Sequence, residues 1–598
     1  MFKPIAYCVG WSNCEAMQSL IGGMSQAIDP QLLQPTQYAF GLNVTDRKGL
    51  PRTRPGFTKA IADIPDGKFQ GAVAYILNDD NRIVFAVSGT VYQLKLSDMS
   101  IITHTGSLSA TVDRMYFCQA DRYFIVQDGD PSTSWASANW PVIIEEDDTY
   151  DQSALRASSP EEALPKGADM AYGHGRLFVS TNYVYEAGWS DNLGRVGFVA
   201  GDIIKAFRPE DVLSFTENVY LNEGGRVIMP EELGYINGMG FQKNIMTGIG
   251  AGPLIVGAER GFSSFQVNAP RAQWKNIDFG IVLFSGKSIG CMSPSSWQNH
   301  NSDIFYRSKD GIRTLKDAAT KAQGSSGLVN DPISNEVQDI LSLDDEATLK
   351  LVECAILDDR VFTLSAPTAD KLAFYGVTSL DFKPIGSISG SQPPIYDGIW
   401  TGFEFMSLVS ARKDDDEKLF AFVRKSTTET ELFFFDESAY QDNASDAPLC
   451  RVYTGYKFFN SAFQEKKFKY LELFLSEIKG DVRITGYYRS DNYPFWNKIT
   501  ESIVKSDPAG ASQRRTRLRL TAEAVDDDPA LEGRLDTGST FQFCIEWQGF
   551  CQLDRVKFIA EDMQTQDFYL VDEEASAVLV SASADAVDIN DYTYEVTL

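Results

Sequence analysis

The sequence predicts an all-β protein: a β-propeller of about six or seven irregular blades, an extended N-terminal arm and a C-terminal β-sandwich. Three observations carry that expectation. Short apolar strands separated by polar turns recur from Gly71 to about residue 440. An Arg or Lys follows the turn in unit after unit; Arg82 and Arg122 do so 40 residues apart, and a period near 40 is the size of a four-stranded blade. Near residue 450 the strands lengthen and alternate more regularly, as in a sandwich.

Taken in order, residues 1–60 are broken by Gly22-Gly23, Pro30, Pro35, Gly49, Pro51, Pro55 and Gly56, too often for a long helix. They read as an arm laid over other surfaces and removable without unfolding the propeller. Residues 61–445 hold the serial hairpins. AVAYIL, RIVFAVSG and TVYQLKLS come first, then RMYFCQ and RYFIVQDG, then a pattern resumed at Arg176, Arg260, Arg360 and Lys418. In DIFYRSKDGIRTL (303–315) Asp310-Gly311 reads as the turn of a hairpin. Residues 145–168 are acidic, contain two prolines, and read as an inserted loop. A pair of β-sandwiches is the competing architecture for this stretch. Residues 446–598 form the sandwich, with a loose acidic tail after 575.

Composition narrows the function. The chain of 598 residues has 54 basic against 82 acidic side chains, a net charge of −28. Six basic against three acidic residues in 1–60 leave −31 on the remainder. An acidic surface repels nucleic acid, and a basic arm suits docking on an acidic body. The eight cysteines contain no CxxC pair and are too sparse for a disulfide framework, so buried, reduced thiols are expected. The first residues make a poor signal peptide, and no apolar run is long enough to span a membrane.

Catalytic patterns are weak. His104, His174 and His300 are scattered, which argues against a zinc site or a Ser-His-Asp triad. The runs Asp414–Asp416 and Asp526–Asp528 lack alternating calcium-ligand spacing, and GIGAGP (248–253) precedes no convincing helix. Ser308, Asp310, Gly311 and Thr314 approximate one sialidase box, but the glycine is one place early and Leu315 stands where Trp is expected. No catalytic residue, cofactor or metal is expected.

Several phrases occur in a telling order: GGMSQAIDPQLLQPTQYAFGLNVTDRKGLPRTRPGF (22–57), NAPRAQWKNIDFG (268–280), DIFYRSKDGIRTL (303–315), DRVFTLSAPT (359–368), GVTSLDF (376–382), YDGIWTG (396–402) and GYYRSDNYPFWNKI (486–499). With them the chain resembles the nozzle, or tail tubular, proteins of short-tailed bacteriophages. The insertion at 145–168 has no counterpart in that resemblance. What the resemblance implies is a virion tail protein made in the host cytoplasm. It would form a homo-oligomeric ring, usually six copies, below the head-to-tail adaptor, with tail fibres as neighbours. Genomic DNA would pass through without specific binding, and nothing would insert in a membrane. Leu32, Leu33, Tyr38, Phe40, Arg47, Arg52, Arg54 and Phe57 would then be the assembly contacts of the arm, with Leu42 among its buried apolar residues. The alternative is a carbohydrate- or receptor-binding tail component, with Tyr488, Tyr493 and Trp496 of the sandwich stacking on sugar rings.

Overall fold

The computed structural model describes residues 7–9, 13–18, 20–47, 49–60, 63–77, 80–104, 108–129, 141–152, 164, 167, 169–181, 203–206, 225–228, 233–243, 251–265, 267, 280–283, 289–300, 303–317, 331–382, 395–443, 446–459, 465–491, 494–505, 516–521 and 537–562. The chain divides into two units, one made of residues 54–448 and the other of residues 1–53 with 449–598. The domain boundaries expected at 60/61 and 445/446 therefore move. Residues 54–60 belong to the propeller, and residues 20–53 are built into the C-terminal unit.

In the 54–448 unit, small antiparallel sheets follow one another along the chain. The first is Phe69–Tyr75, Arg82–Val87, Thr90–Lys95 and Ile101–His104. The second is Tyr116–Ala120, Tyr123–Gln127, Val142–Ile144 and Tyr150–Gln152. The third runs Asp169–Gly173, Arg176–Thr181, Ile203–Ala206 and Gly225–Ile228, and the fourth Ile236–Lys243, Ala251–Ala258, Gly261–Phe265 and Gly280–Leu283. The fifth has three described strands, Gln298–His300, Asp303–Arg307 and Ile312–Thr314. Cys354–Leu357, Arg360–Pro367 and Phe374–Asp381 lead into the 19-residue strand Ile395–Lys413. The first half of that strand completes one sheet. Its second half opens the next, with Asp416–Arg424 and Thr430–Asp436.

Local sequence explains the hairpins. Two-residue turns in which both residues take positive φ match the twist of the flanking strands. Ser88-Gly89, His174-Gly175, Asp358-Asp359 and Asp414-Asp415 are such pairs, and the last belongs to one of the acidic runs. The turn around Asp310-Gly311 is longer than a two-residue hairpin loop because Arg307 pairs with Ile312. Ser308 Oγ donates to Asp310 Oδ1 (2.7 Å) and Arg313 closes the turn on Asp310 Oδ2 (2.7 Å). The first part of the expected acidic insertion is also sheet rather than loop. Tyr150–Gln152 is the fourth strand of the second sheet, while residues 153–163 lie outside the described residues.

Each sheet buries its faces against its neighbours, as propeller blades must. Phe124, Val126 and Ile144 pack on Tyr75, Val84 and Val91 between the first and second sheets. Leu177 and Val179 meet Ile125 and Ile143 between the second and third. Phe178 meets Leu254 and Val256 next, then Phe262 meets Ile304 and Tyr306. The ring closes where Ile83, Phe85 and Leu94 of the first sheet meet Val409, Phe420 and Phe422 of the last. Ions reinforce one joint: Asp148 of the second sheet is held by Arg82, Gln93 and Lys95 of the first.

Closure depends on Arg54–Lys59. Gly56–Lys59 is the final strand of the last sheet, paired with Phe433–Asp436. Arg54 is fully buried and grips Asp442 with two nitrogens, at 2.9 and 2.7 Å. It also donates to Thr401 O (2.8 Å), at the bend where Ile395–Lys413 changes sheets. Asp442 accepts the Phe57 amide as well (2.9 Å). Gly56 must be glycine here, because a Cβ would lie 2.1 Å from Gln441 O. Phe57 then inserts among Phe403, Phe405 and Phe435, each 5.7 Å away between ring centroids. Removing residues 1–60 takes out a blade strand, so the arm is not dispensable for the propeller.

In the other unit two long strands, Lys466–Ser490 and Phe541–Asp562, pair along their lengths and form a curled sheet. Register shifts between Ser476 and Arg483 bend them. Phe468, Tyr488, Phe541, Phe543 and Phe558 fill the interior. Tyr38–Leu42 pairs with Leu449–Thr454, which pairs in turn with the Phe541–Asp562 strand.

Replacing Arg54 with Met is expected to lower the unfolding free energy by about 3–5 kcal/mol, since Asp442 is left as an unpaired buried charge. Arg54→Lys should recover little of this, because an ammonium cannot fork onto both carboxylate oxygens. Urea denaturation reads both variants, and a loss under about 1 kcal/mol for Arg54→Met would show that closure does not rest on the pair.

Candidate functional site

The first strands of successive sheets converge in a propeller, and here they line a cavity of ≈ 350 Å³. Its walls include Ala72, Ala74, Tyr116, Phe117, Trp297 and Val409. A neighbouring space of ≈ 280 Å³ shares Tyr116 and Pro294 and adds Glu259 and Lys350. Both volumes suit a small molecule at most. A DNA duplex, with a major groove about 12 Å wide and 8.5 Å deep, cannot thread one propeller.

Two acids stand in this wall. Glu353 precedes the strand Cys354–Leu357 and is buried. Its Oε1 pairs with Arg114, while Oε2 accepts from Ser407 Oγ (2.6 Å) and the Leu408 amide (2.9 Å). Burial still pushes its carboxyl above the ordinary range, against the pull of Arg114 and those donors. Asp169 opens the third sheet and is 8% exposed. Its oxygens accept the amides of Met170 (2.8 Å) and of Met239 in the fourth sheet (2.6 Å). Burial raises it to about 7; the two amides and Arg114 only partly offset this. Asp169 makes no ion pair among the described residues.

Trp297 is placed by backbone without side chains. A Cβ on Gly240 would sit 2.3 Å from its Nε1, and one on Gly257 3.1 Å from its Cζ3. Neither Asp169 nor Trp297 carries a linear signal. Each matters because strands far apart in sequence converge.

The arm residues separate. Tyr38 is buried, with its hydroxyl donating to Asp46 Oδ2 (2.7 Å), and Phe40 packs on Tyr453 with centroids 5.2 Å apart. Leu33 is half-buried beside Gly455, and Arg52 reaches Glu477 at 3.8 Å. Arg47 and Leu42 are half-buried. Leu32, expected to be an apolar anchor, is 73% exposed. Arg54 and Phe57 serve the propeller instead, as described above.

Of the rings expected to meet a sugar, Tyr488 is 1% exposed and packs on Phe468 (4.9 Å), so it presents no face. Trp496 is half-buried, 5.2 Å from Tyr453 and with the Arg489 guanidinium 4.7 Å from its centroid. Tyr493 lies outside the described residues.

The histidines stay apart. His104 is buried on Gln93 (3.0 Å), His174 meets Gly252 O (3.2 Å), and His300 lies 3.8 Å from Asp359. Cys118, Cys291, Cys354, Cys450, Cys544 and Cys551 are buried thiols, none of them in a disulfide. Among the described residues no group of three or more metal-ligating side chains is found, and no helix is long and apolar enough to cross a membrane. Asp526–Asp528 and most of 268–280 lie outside the described residues.

No protein-family model matches the chain, and no curated protein does. Solved structures with a similar course include the β-propeller domain of Cps50 (Swd1) from Myceliophteria thermophila. It is 11% identical, at a TM-score of 0.34 over 64% of this chain and 99% of that one. The extracellular domain of a proposed one-component system from B. thetaiotaomicron aligns at 11% identity and the same TM-score, over 79% of this chain and 48% of that one. A hybrid two-component counterpart from the same organism aligns at 8% identity, over 80% of this chain and 60% of that one.

Two outcomes test the axial geometry. Asp169 holds its proton more tightly folded than unfolded, so stability should fall as pH rises from about 4 to about 7, by up to about 4 kcal/mol. Asp169→Asn should flatten that slope in urea titrations at a series of pH values. Gly240→Ala should displace Trp297, shift its fluorescence and cost about 1–3 kcal/mol.

Proposed function

We propose that the chain is a structural subunit of an oligomeric channel, the tail nozzle of a short-tailed bacteriophage. The observation that carries this reading is the propeller's closure on itself through Arg54–Lys59 and Asp442. A block closed this way is stiff and does not open to admit a duplex. Its axial space is of small-molecule size, so a conduit would have to lie between copies. The ordered phrases from 22–57 to 486–499 support the same reading.

The charge fits a wall for passing DNA. A lining of Lys and Arg would bind phosphates by counterion release and hold the genome at low salt. A chain of net charge −28 repels them, and transit then needs no sequence reading. The residues 20–53 of the arm are strands and turns of the C-terminal unit, so their contribution to assembly would act through that unit's surface.

A receptor-binding role for the C-terminal unit draws on Phe495, which is 68% exposed beside Trp496. Burial of Tyr488 leaves it a smaller aromatic platform.

Native mass spectrometry of the purified full chain is expected to give a closed ring of about six copies. The same preparation should not retain duplex DNA near physiological salt. A protein that stays monomeric at assembly concentrations, or one missing from purified virions, would overturn the proposal. Glycan-dependent binding lost on Trp496→Ala would favour the receptor role instead.

A further inference from the structure

The axial cavity has the makings of a binding site that the conduit role does not use. It lies within the size range of small-ligand sites, and its walls mix apolar side chains with polar ones, among them Asp169, Gln298, Glu353 and Ser410. Tyr116, Phe117 and Trp297 bring aromatic surface to it. Asp169 brings a carboxyl that is anchored by two backbone amides yet has no cationic partner of its own among the described residues. Glu353, the other acid of the wall, is already neutralised by Arg114.

From this the geometry points to a small organic cation, an ammonium with an apolar body, held in the axial cavity against Asp169 and the rings of Tyr116 and Trp297. Each feature of the space selects that chemistry. A carboxylate that makes no ion pair among the described residues favours a positive charge, and a desolvated ammonium gains from aromatic faces. The apolar side chains of the wall, Ala72, Ala74, Leu408 and Val409 among them, suit the carbon body of the ligand. Anions are disfavoured, because Arg114 is committed to Glu353 and the Lys350 carbonyl (3.3 Å). Met239 and Met170 amides keep the carboxylate aimed whether or not a ligand is bound, so the site is preformed.

Ligand and proton compete for Asp169. The ionisable groups around it are Arg114, Tyr116, Cys118, Cys291 and Glu353. The phenol and the two thiols are pushed up by burial and stay neutral at ordinary pH. Burial places the Asp169 carboxyl at about 7, so its charge changes near neutral pH.

The test is calorimetric titration of the full chain with choline, against neohexyl alcohol as its uncharged carbon analogue and sodium chloride at matched ionic strength. Choline should bind saturably near pH 8 and about tenfold more weakly near pH 6, where roughly a tenth of the carboxyl is ionised. The alcohol and sodium should give no saturable heat. Asp169→Asn should abolish binding, and Trp297→Leu should weaken it several-fold, as loss of a cation–π contact does. If either variant fails to fold, the comparison of choline with its analogue and the pH series on the unaltered protein still decide. Equal binding of the alcohol, pH-independent binding, or no choline binding would each overturn the inference. It is independent of the conduit proposal: a protein that forms rings and ignores choline refutes only this site.

Discussion

The joint at Arg54 and Asp442 is the constraint on which the propeller depends. A ring of sheets has a seam, and sheets along a chain close it only if the last finds a partner among the first residues. Here Gly56–Lys59 supplies that partner, and the buried ion pair beside it sets the register. One guanidinium satisfies both oxygens of Asp442 and the carbonyl of Thr401. It thereby ties together the entering strand, the exit of the last sheet and the bend of the strand shared by two sheets. Desolvating such a pair is costly, and its geometry recovers the cost only because every polar atom is matched. The arrangement also holds the entry and exit of the 54–448 unit side by side.

Around the axis the physics is different. Strand convergence brings short side chains such as Ala72 and Ala74 and larger ones such as Tyr116 and Trp297 to one space, which they line. Two carboxyls sit in that wall with contrasting environments. Glu353 has an arginine and two further donors; Asp169 has backbone amides and burial. The first is a tie between sheets distant in sequence, since Arg114 lies ahead of the second sheet and Ser407 in the last. The second is poised between protonated and ionised forms, a condition that structural ion pairs do not need.

These features sit comfortably with a protein whose work is mechanical. The closure at Arg54 and Asp442 and the large acidic excess are the features on which the proposed conduit role rests, since such an excess keeps a surface from adhering to phosphates. Stiffness and weak adhesion are what a conduit wall requires. A small binding site at the axis would not conflict with the proposed conduit role, which places the DNA path outside the single propeller.

Much of the fold was legible in the residues. Alternating strands and turn pairs such as Asp358-Asp359 state the hairpins locally, because turn type depends on a few neighbouring φ values. The recurring basic residue after each turn was visible too; Arg82 and Arg360 are buried on carboxylates of their surroundings, whereas Arg122 and Arg260 of the same pattern are exposed. Long alternation after residue 450 announced the second style of sheet. Other features were beyond local reading. Nothing near Arg54 in sequence reveals Asp442, 388 residues away, so the arm's division between two units stayed hidden. Leu32 and Tyr488 show the same limit, since hydrophobicity says that a side chain gains by burial but not whether its place in the fold provides it. The axial cavity belongs wholly to tertiary structure: Asp169, Trp297 and Glu353 meet only because separate strands converge on one line, and no spacing along the chain encodes that meeting.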